Sequence, residues 1–248
     1  MRYNEVEVKV KEKMPLAPIG DVHYGSKDCD TTYFTNSIGW VKSNKDIRVI
    51  LMGDLINCGT KTSVGAGVFD DSYNPEAQYE GMLEMLKPIK SQILGVHSGN
   101  HEERIRELTS LDLSKMLARE LGVTYLGYSA LTKIRVNKFN YSVFSTHGSS
   151  SAMTTNGKLV GCKRMQDVAD ADIYLYGHTH GLANEVMSYR KIDFKNKVIV
   201  ERKRHFVLTG NFTNWDGSYG EKKGYALLKK GCPRVDLFGN RFDTHVSL

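Results

Sequence analysis

The sequence predicts an α/β fold with a β-rich C-terminal end, and three observations carry that expectation. Short apolar runs alternate with helical patterns through the first 180 residues. Several of those runs stop in a glycine followed by a polar residue. From about residue 185, strands and tight turns take over. Alternation of this kind builds a sheet whose faces are covered by helices.

Taken in order, "MRYNEVEVKVKEK" alternates charged and apolar residues and reads as a strand. "PLAPIGDV" and "DIRVILMGD" are strands, and "TTYFTNSIGWVKS" between them has the spacing of a short amphipathic helix. In "NPEAQYEGMLEMLKPI", Asn74 and Pro75 fit the N-cap and first helical positions, and Tyr79, Met82, Leu83, Leu86 and Ile89 share one face. "SQILGVHSG" is a strand. "LTSLDLSKMLARELG" (108–122) reads as one helix that Gly122 ends. "YSVFSTHG" and "DIYLYGHTHG" are strands, and "FKNK" is a hairpin tip. Residues 57–74, rich in Gly, Ser and Thr, form a loop of the length that serves as a lid, a binding loop or a mobile connection. No repeat, low-complexity tract or linker divides the chain, so residues 1–248 are expected to form a single domain.

Composition sets limits on function. Charged residues make up 25% and apolar residues 40%, which suits a soluble globular protein and excludes collagenous, disordered and coiled-coil classes. No stretch has the length of a membrane span, so no membrane association is expected. Cys29, Cys58, Cys162 and Cys232 lie far apart without a CxxC, which fits a reducing cytoplasm better than a disulfide scaffold. The net charge of +6 is uneven: residues 190–248 hold 13 Lys/Arg against 6 Asp/Glu. Arg190, Lys191, Lys195, Lys197, Arg202, Lys203 and Arg204 form the densest part. Such a patch suits either a polyanion such as nucleic acid or the solvated face of a hairpin.

The strand ends carry the chemistry. They read "GDVHYG" (Asp21, His23), "GDLIN" (Asp54), "GNHEE" (Asn100, His101), "THG" (His147) and "GHTHG" (His178, His180). Taken alone, GHTHG could be a turn with two solvated histidines. As a set, five of eight histidines stand at strand ends, where open α/β sheets gather ligands. His97, inside a strand, is expected in the core, and His205 and His245 on the surface. Carboxylate, imidazole and amide together suit Mn, Fe, Zn or Ni, with manganese first among them. Four histidines, two aspartates and an amide exceed one tetrahedral ion and match two ions sharing a carboxylate, with one GHTHG histidine for each.

The order DxH, GD, GNHE, H, GHxH resembles that of the calcineurin-like metallophosphoesterase superfamily, over roughly residues 15–215. The resemblance implies a four-layer αββα sandwich, two mixed β-sheets flanked by helices with the metal pair at one edge. It implies that Asp21, His23 and His180 hold the first metal, Asn100, His147 and His178 the second, and Asp54 bridges them. His101, beside ligand Asn100, would protonate or steady the leaving oxygen. A metal pair would activate water for phosphoester hydrolysis without a nucleophilic side chain, and the serines at 149–151 read as loop. Protein phosphatases of the superfamily continue the second block as GDxxDRG. Here Asn57 stands for the aspartate that orients the histidine and Cys58 for the arginine that grips phosphate. The chain therefore looks more like the phosphodiesterase and DNA-repair-exonuclease-like branch, of a kind found in phages and prophages. The expected substrate is a phosphodiester in nucleic acid or a nucleotide, with Trp215 and Tyr219 available to stack on a base. The alternatives are a phosphomonoesterase, a cyclic-nucleotide phosphodiesterase or a non-catalytic binding module.

Overall fold

The computed structural model describes residues 1–61, 63, 69 and 71–248. Within these residues the apolar runs form two six-stranded sheets. The first is centred on β2 (Lys13–Ile19), β3 (Arg48–Leu51), β4 (Ile93–His97) and β5 (Tyr125–Gly127), parallel and adjacent in that order. β11 (Arg234–Phe238) and β12 (Thr244–Ser247) extend its β2 edge antiparallel. The second sheet runs β1 (Arg2–Val8), β6 (Ser129–Val136), β7 (Phe139–Thr146), β8 (Ile173–Tyr176), β10 (Val198–Thr209) and β9 (Leu182–Asp193). Both sheets mix parallel and antiparallel pairs.

Three apolar interfaces stack these sheets into layers. Leu16, Ile50 and Leu237 of the first sheet meet Val143, Leu175 and Val207 of the second. The outer face of the first sheet is covered by α1 (Thr31–Ser43), α2 (Pro75–Leu86) and α4 (Leu113–Leu121), through Phe34, Val41, Met82, Leu86 and Leu117. The outer face of the second packs Phe144, Tyr174 and Phe206 on Leu159 and Cys162 of α5 (Thr155–Lys163). Helix, sheet, sheet, helix is the expected four-layer sandwich.

Local chemistry explains most boundaries. Asp30, Asn74, Asp112 and Thr154 each accept a backbone N–H at the start of α1, α2, α4 and α5. Gly122 closes α4 at φ 70°. The helix expected over 108–122 is instead two. α3 (Asn100–Thr109) ends where Ser110 turns left-handed at φ 65°, and Asp112 starts α4. α3 has no apolar stripe, since "NHEERIRELT" buries only Glu102, so hydrophobic periodicity could not reveal it. β6 was legible in principle, because its buried and partly exposed residues alternate along "SALTKIRV". α5 was obscured by Gly157 and Gly161 inside it.

His97 is fully buried, as expected, with Nδ1 2.9 Å from Gly127 O and Nε2 2.8 Å from Ser145 Oγ. His205 corrects the expectation of a surface residue, being only 3% exposed. There β10 gains β8 as a second neighbour, and Thr244 Oγ1 reaches His205 Nε2 at 2.8 Å. Burial brings both imidazoles down to about 4. They stay neutral in the fold where an unfolded chain takes up protons near pH 6.5. The unfolded state therefore binds more protons between about pH 6.5 and 4. The stability these groups contribute is complete above that window and lost as pH falls through it. Urea midpoints measured from about pH 7 to 4.5 should fall for the wild type and fall less for His205→Gln.

Candidate metal centre

The candidate ligands sit where β2, β3 and β4 of one sheet and β7 and β8 of the other end at a common edge. The chain bends abruptly at each end. Asp21, His23, Asp54, His178 and His180 all take positive φ, between 48° and 63°. Left-handed backbone costs an L-residue on the order of 1–2 kcal/mol and persists where surrounding structure enforces it. The other non-glycine residues so placed among those described are Cys58, after the second block, and Ser110, Asn137 and Lys197 in turns or caps. Glycines let the β3 and β4 loops touch. A Cβ on Gly53 would lie 2.6 Å from Gly99 N, and one on Gly99 would lie 2.1 Å from both Asp54 N and Oδ1.

All seven candidate ligands come together. Asp21, His23 and His180 form one group and Asp54, His147 and His178 another, each with ligand atoms within 4.8 Å of one another, close enough to hold a metal ion. Asn100 completes the second, its Oδ1 lying 2.7 Å from His178 Nδ1 and 3.0 Å from His147 Nε2. Asp54 Oδ2 lies 3.3 Å from His147 Nε2 and 3.8 Å from His23 Nε2, between the groups. His178 and His180 fall into different groups, as the GHTHG spacing suggested. The donor set fits divalent cations. Asp21 Oδ1 is buried without a hydrogen-bond partner, and His23 and His180 direct their Nε2 atoms to within 3.1 Å of each other.

Burial sets the charge states. It lowers His180 to about 3 and also lowers His23 and His178, leaving all three imidazoles with free lone pairs at neutral pH. It raises Asp21 to about 8, assisted by the nearby Asp54. Burial opposes ionisation of Asp54 too, but the surrounding imidazoles, His147 first, hold its carboxyl well below the ordinary range. In His147 the same conflict resolves upward: burial is outweighed by Asp54, Asp21 and Glu102, and the pKa stands at about 10.

His101 keeps its orientation by another route than the missing aspartate. Its Nδ1 donates to the backbone carbonyl of Asn57 at 2.7 Å, so position 57 serves through main chain rather than side chain. The Asn57 side chain turns instead to Asp71. His101 Nε2 accepts from Arg104 Nη2 at 2.9 Å and lies 3.8 Å from Asp54 Oδ2. Cys58 is fully buried, with its backbone N–H donating to Gln78 Oε1. It packs in the core and makes no substitute for an arginine.

The sequence reading missed Glu102, Arg104 and Lys158. Glu102 follows His101 at the third position of α3, where an acid commonly reaches back to the helix start. Its carboxylate accepts from the N–H groups of Asp54, Leu55, Ile56 and Gly99 at 2.7–3.2 Å. Arg104 and Lys158 carried no motif.

A cleft of about 440 Å³ opens over this edge, with His23, His101, His178 and His180 on its floor and Trp215 on its wall. Asn57, Gly59 and Ser63 of the 57–74 loop also line it, while residues 62, 64–68 and 70 lie outside the described residues. Ser150 and Ser151 border it from the loop in which the sequence places them. Trp215 is pinned by its indole N–H, which donates to Tyr225 O; the Tyr219 side chain lies outside the described part.

Two stacked mixed sheets with an Asp/His cluster at their shared edge and a cleft above it define a metal-dependent phosphoesterase. The family model for calcineurin-like phosphoesterases matches residues 14–182, and the chain belongs to that family. No curated protein matches it significantly.

Glu102→Ala would leave four buried N–H groups unpaired, at about 1–3 kcal/mol apiece. The melting temperature and the bound metal should fall together, whereas Glu102→Gln, which keeps one acceptor oxygen, should lose less of both. Calorimetry and elemental analysis of the two variants check this.

Proposed function

We propose that the protein is a dinuclear-metal phosphodiesterase acting on a nucleotide-type diester. Asp21, His23 and His180 would hold one divalent cation, Asn100, His147 and His178 a second, with Asp54 shared, and manganese suits this donor set first. When bound, such a pair supplies an activated water and neutralises phosphoryl oxygens. The observation that carries the reading is His101, an imidazole held by Asn57 O on the cleft floor beside both ligand groups. Nε2 lines the cleft but carries no proton while it accepts from Arg104; once Arg104 moves off, it would take a proton from solvent and pass that proton to the departing oxygen. The complete ligand set argues against a non-catalytic binding module.

The cleft accommodates a nucleotide-sized group, with Trp215 as a surface for a base. A monoester or cyclic nucleotide is the second reading. The basic hairpin bears on polymers in a different way from the one its composition suggested. Its tip, residues 194–197, is separated from the site by the length of β9, 12 residues or roughly 35–40 Å. Arg202 stacks on Phe242, Lys203 pairs with Asp243 and Arg204 with Asp170, which leaves Arg190, Lys191, Lys195 and Lys197 as exposed charge. Nucleic acid touching both hairpin tip and cleft would have to run along the ribbon. Residues 183–248 add β9 to β12 to the two sheets, which supports treating 1–248 as one domain. The four free cysteines suit a reducing cytoplasm, and no described helix is long and apolar enough to cross a membrane.

Metal-stripped protein in chelator should be inactive on bis-p-nitrophenyl phosphate and regain turnover with Mn²⁺; full activity without metal would refute the reading. Faster turnover of p-nitrophenyl phosphate would favour the monoester alternative. Asp54→Ala should lose bound metal and turnover together. His101→Ala should keep its metal and lose about 10²–10⁴ in kcat on a poor leaving group, and less on p-nitrophenolate.

For the polymer reading, the log–log salt dependence of single-stranded DNA binding should be near −0.7 per phosphate contacted. Replacing Arg190, Lys191, Lys195 and Lys197 by Gln should flatten it. Unchanged slopes would assign the hairpin no part in substrate binding.

A further inference from the structure

Lys158 occupies an unusual position for a lysine. It is 7% exposed, on the first turns of α5, yet it borders the cleft. Its side chain makes no hydrogen bond or ion pair with any described residue, although buried lysines are almost always paired. Its aliphatic stem passes beside Gly181, directly after the GHTH turn, where a Cβ would stand 3.4 Å from Lys158 Cδ. Its ammonium is near enough to interact electrostatically with Asp21 and His180. Arg104 borders the same cleft from the His101 side.

The stem is buried while the ammonium opens on the cleft, with no protein acceptor within hydrogen-bonding distance among the described residues. A cation fixed at the cleft by a buried stem, beside a candidate metal centre, is placed to meet an anion that arrives there. Phosphoesters carry such an anion, and the arginine that phosphoprotein phosphatases use to hold it is replaced here by the buried Cys58. We propose that Lys158 is a phosphate-binding residue that orients the substrate's phosphoryl group from the His180 side, opposite Arg104. This rests on the phosphoesterase reading and extends it, because Lys158 lies outside all five ligand-bearing strand ends. Lys158 would donate to a phosphoryl oxygen, and the anion would supply the partner that the ammonium lacks in the protein alone. Trp215, on the wall of the cleft, is placed to meet what the phosphate carries.

The test compares Lys158→Met, Lys158→Arg and wild type, all metal-loaded. Inorganic phosphate binding is measured by calorimetry, with metal content, melting temperature and diester kinetics alongside. Loss of a charge-assisted hydrogen bond should weaken phosphate binding by Lys158→Met about 10- to 100-fold and raise KM more than it lowers kcat. Metal content and melting temperature should both stay at the wild-type level, since Met keeps the buried stem. Lys158→Arg should recover part of the phosphate affinity. Wild-type phosphate affinity in Lys158→Met would overturn the proposal while leaving the phosphoesterase reading intact. A lower melting temperature with lost metal would also overturn it, showing Lys158 to be a structural counter-charge to Asp21. Wild-type protein that neither binds phosphate nor turns over any ester would remove both readings.

Discussion

One buried carboxylate holds the site in register. Glu102 sits at the start of α3 and accepts four backbone N–H groups, three from the loop after β3 and one from the loop after β4. The loop after β3 bridges Tyr24 through Ile56, but these four N–H groups find no backbone acceptor among the described residues, so without Glu102 they would be buried and unsatisfied. The same four contacts position Asp54, and through its Oδ1 the backbone of His101. Burial and the neighbouring Asp54 push the Glu102 carboxyl up to about 7. The anchor is therefore itself held against an electrostatic cost, which the nearby His147 and then the backbone donors oppose.

Elsewhere the edge carries similar tension. Five of the candidate ligands adopt left-handed backbone, and two aspartates lie fully desolvated among histidines. Such features are tolerated because the layers beneath are apolar and closely packed, with both sheets buried against each other and against helices. A cation pair bound at the edge would offset the repulsion between the two carboxylates and direct the imidazole lone pairs to one use. Most of the candidate ligands are also strained backbone, a combination common where function opposes stability.

Much of this was legible in the sequence. The five polar strand ends named every candidate ligand because strand period and glycine punctuation survive in a single chain, and α1 and α2 announced themselves by spacing and cap. What stayed hidden has specific causes. α3 has no apolar face and is fixed by Glu102, a polar contact that periodicity does not register. His205 read as a surface residue because its cover comes from Asn184 and Thr244, which are distant in sequence. The replacement of a side-chain carboxylate by the Asn57 carbonyl cannot be seen in residue identities, since every residue has one. Lys158 reaches the cleft only because α5 packs outside the second sheet, which is a tertiary fact. The basic tract was visible, but its distance from the site depended on the direction in which β9 runs.

The segment from Gly210 to Pro233 joins β10 of one sheet to β11 of the other, and on its way it supplies Asn211, Thr213, Trp215 and Tyr225 to the cleft. It is fastened just after β10, where Phe212 N–H donates to Asp21 O and Asn214 N–H to Asp28 O. One side of the cleft is therefore a strap with each end sewn into a different sheet and its β10 end tied to a ligand-bearing loop. A slide or twist of one sheet against the other would therefore pull on a wall of the aperture above the candidate metal centre. The apolar seam between the sheets thus has a mechanical role as well as a cohesive one: it sets the gauge of the opening.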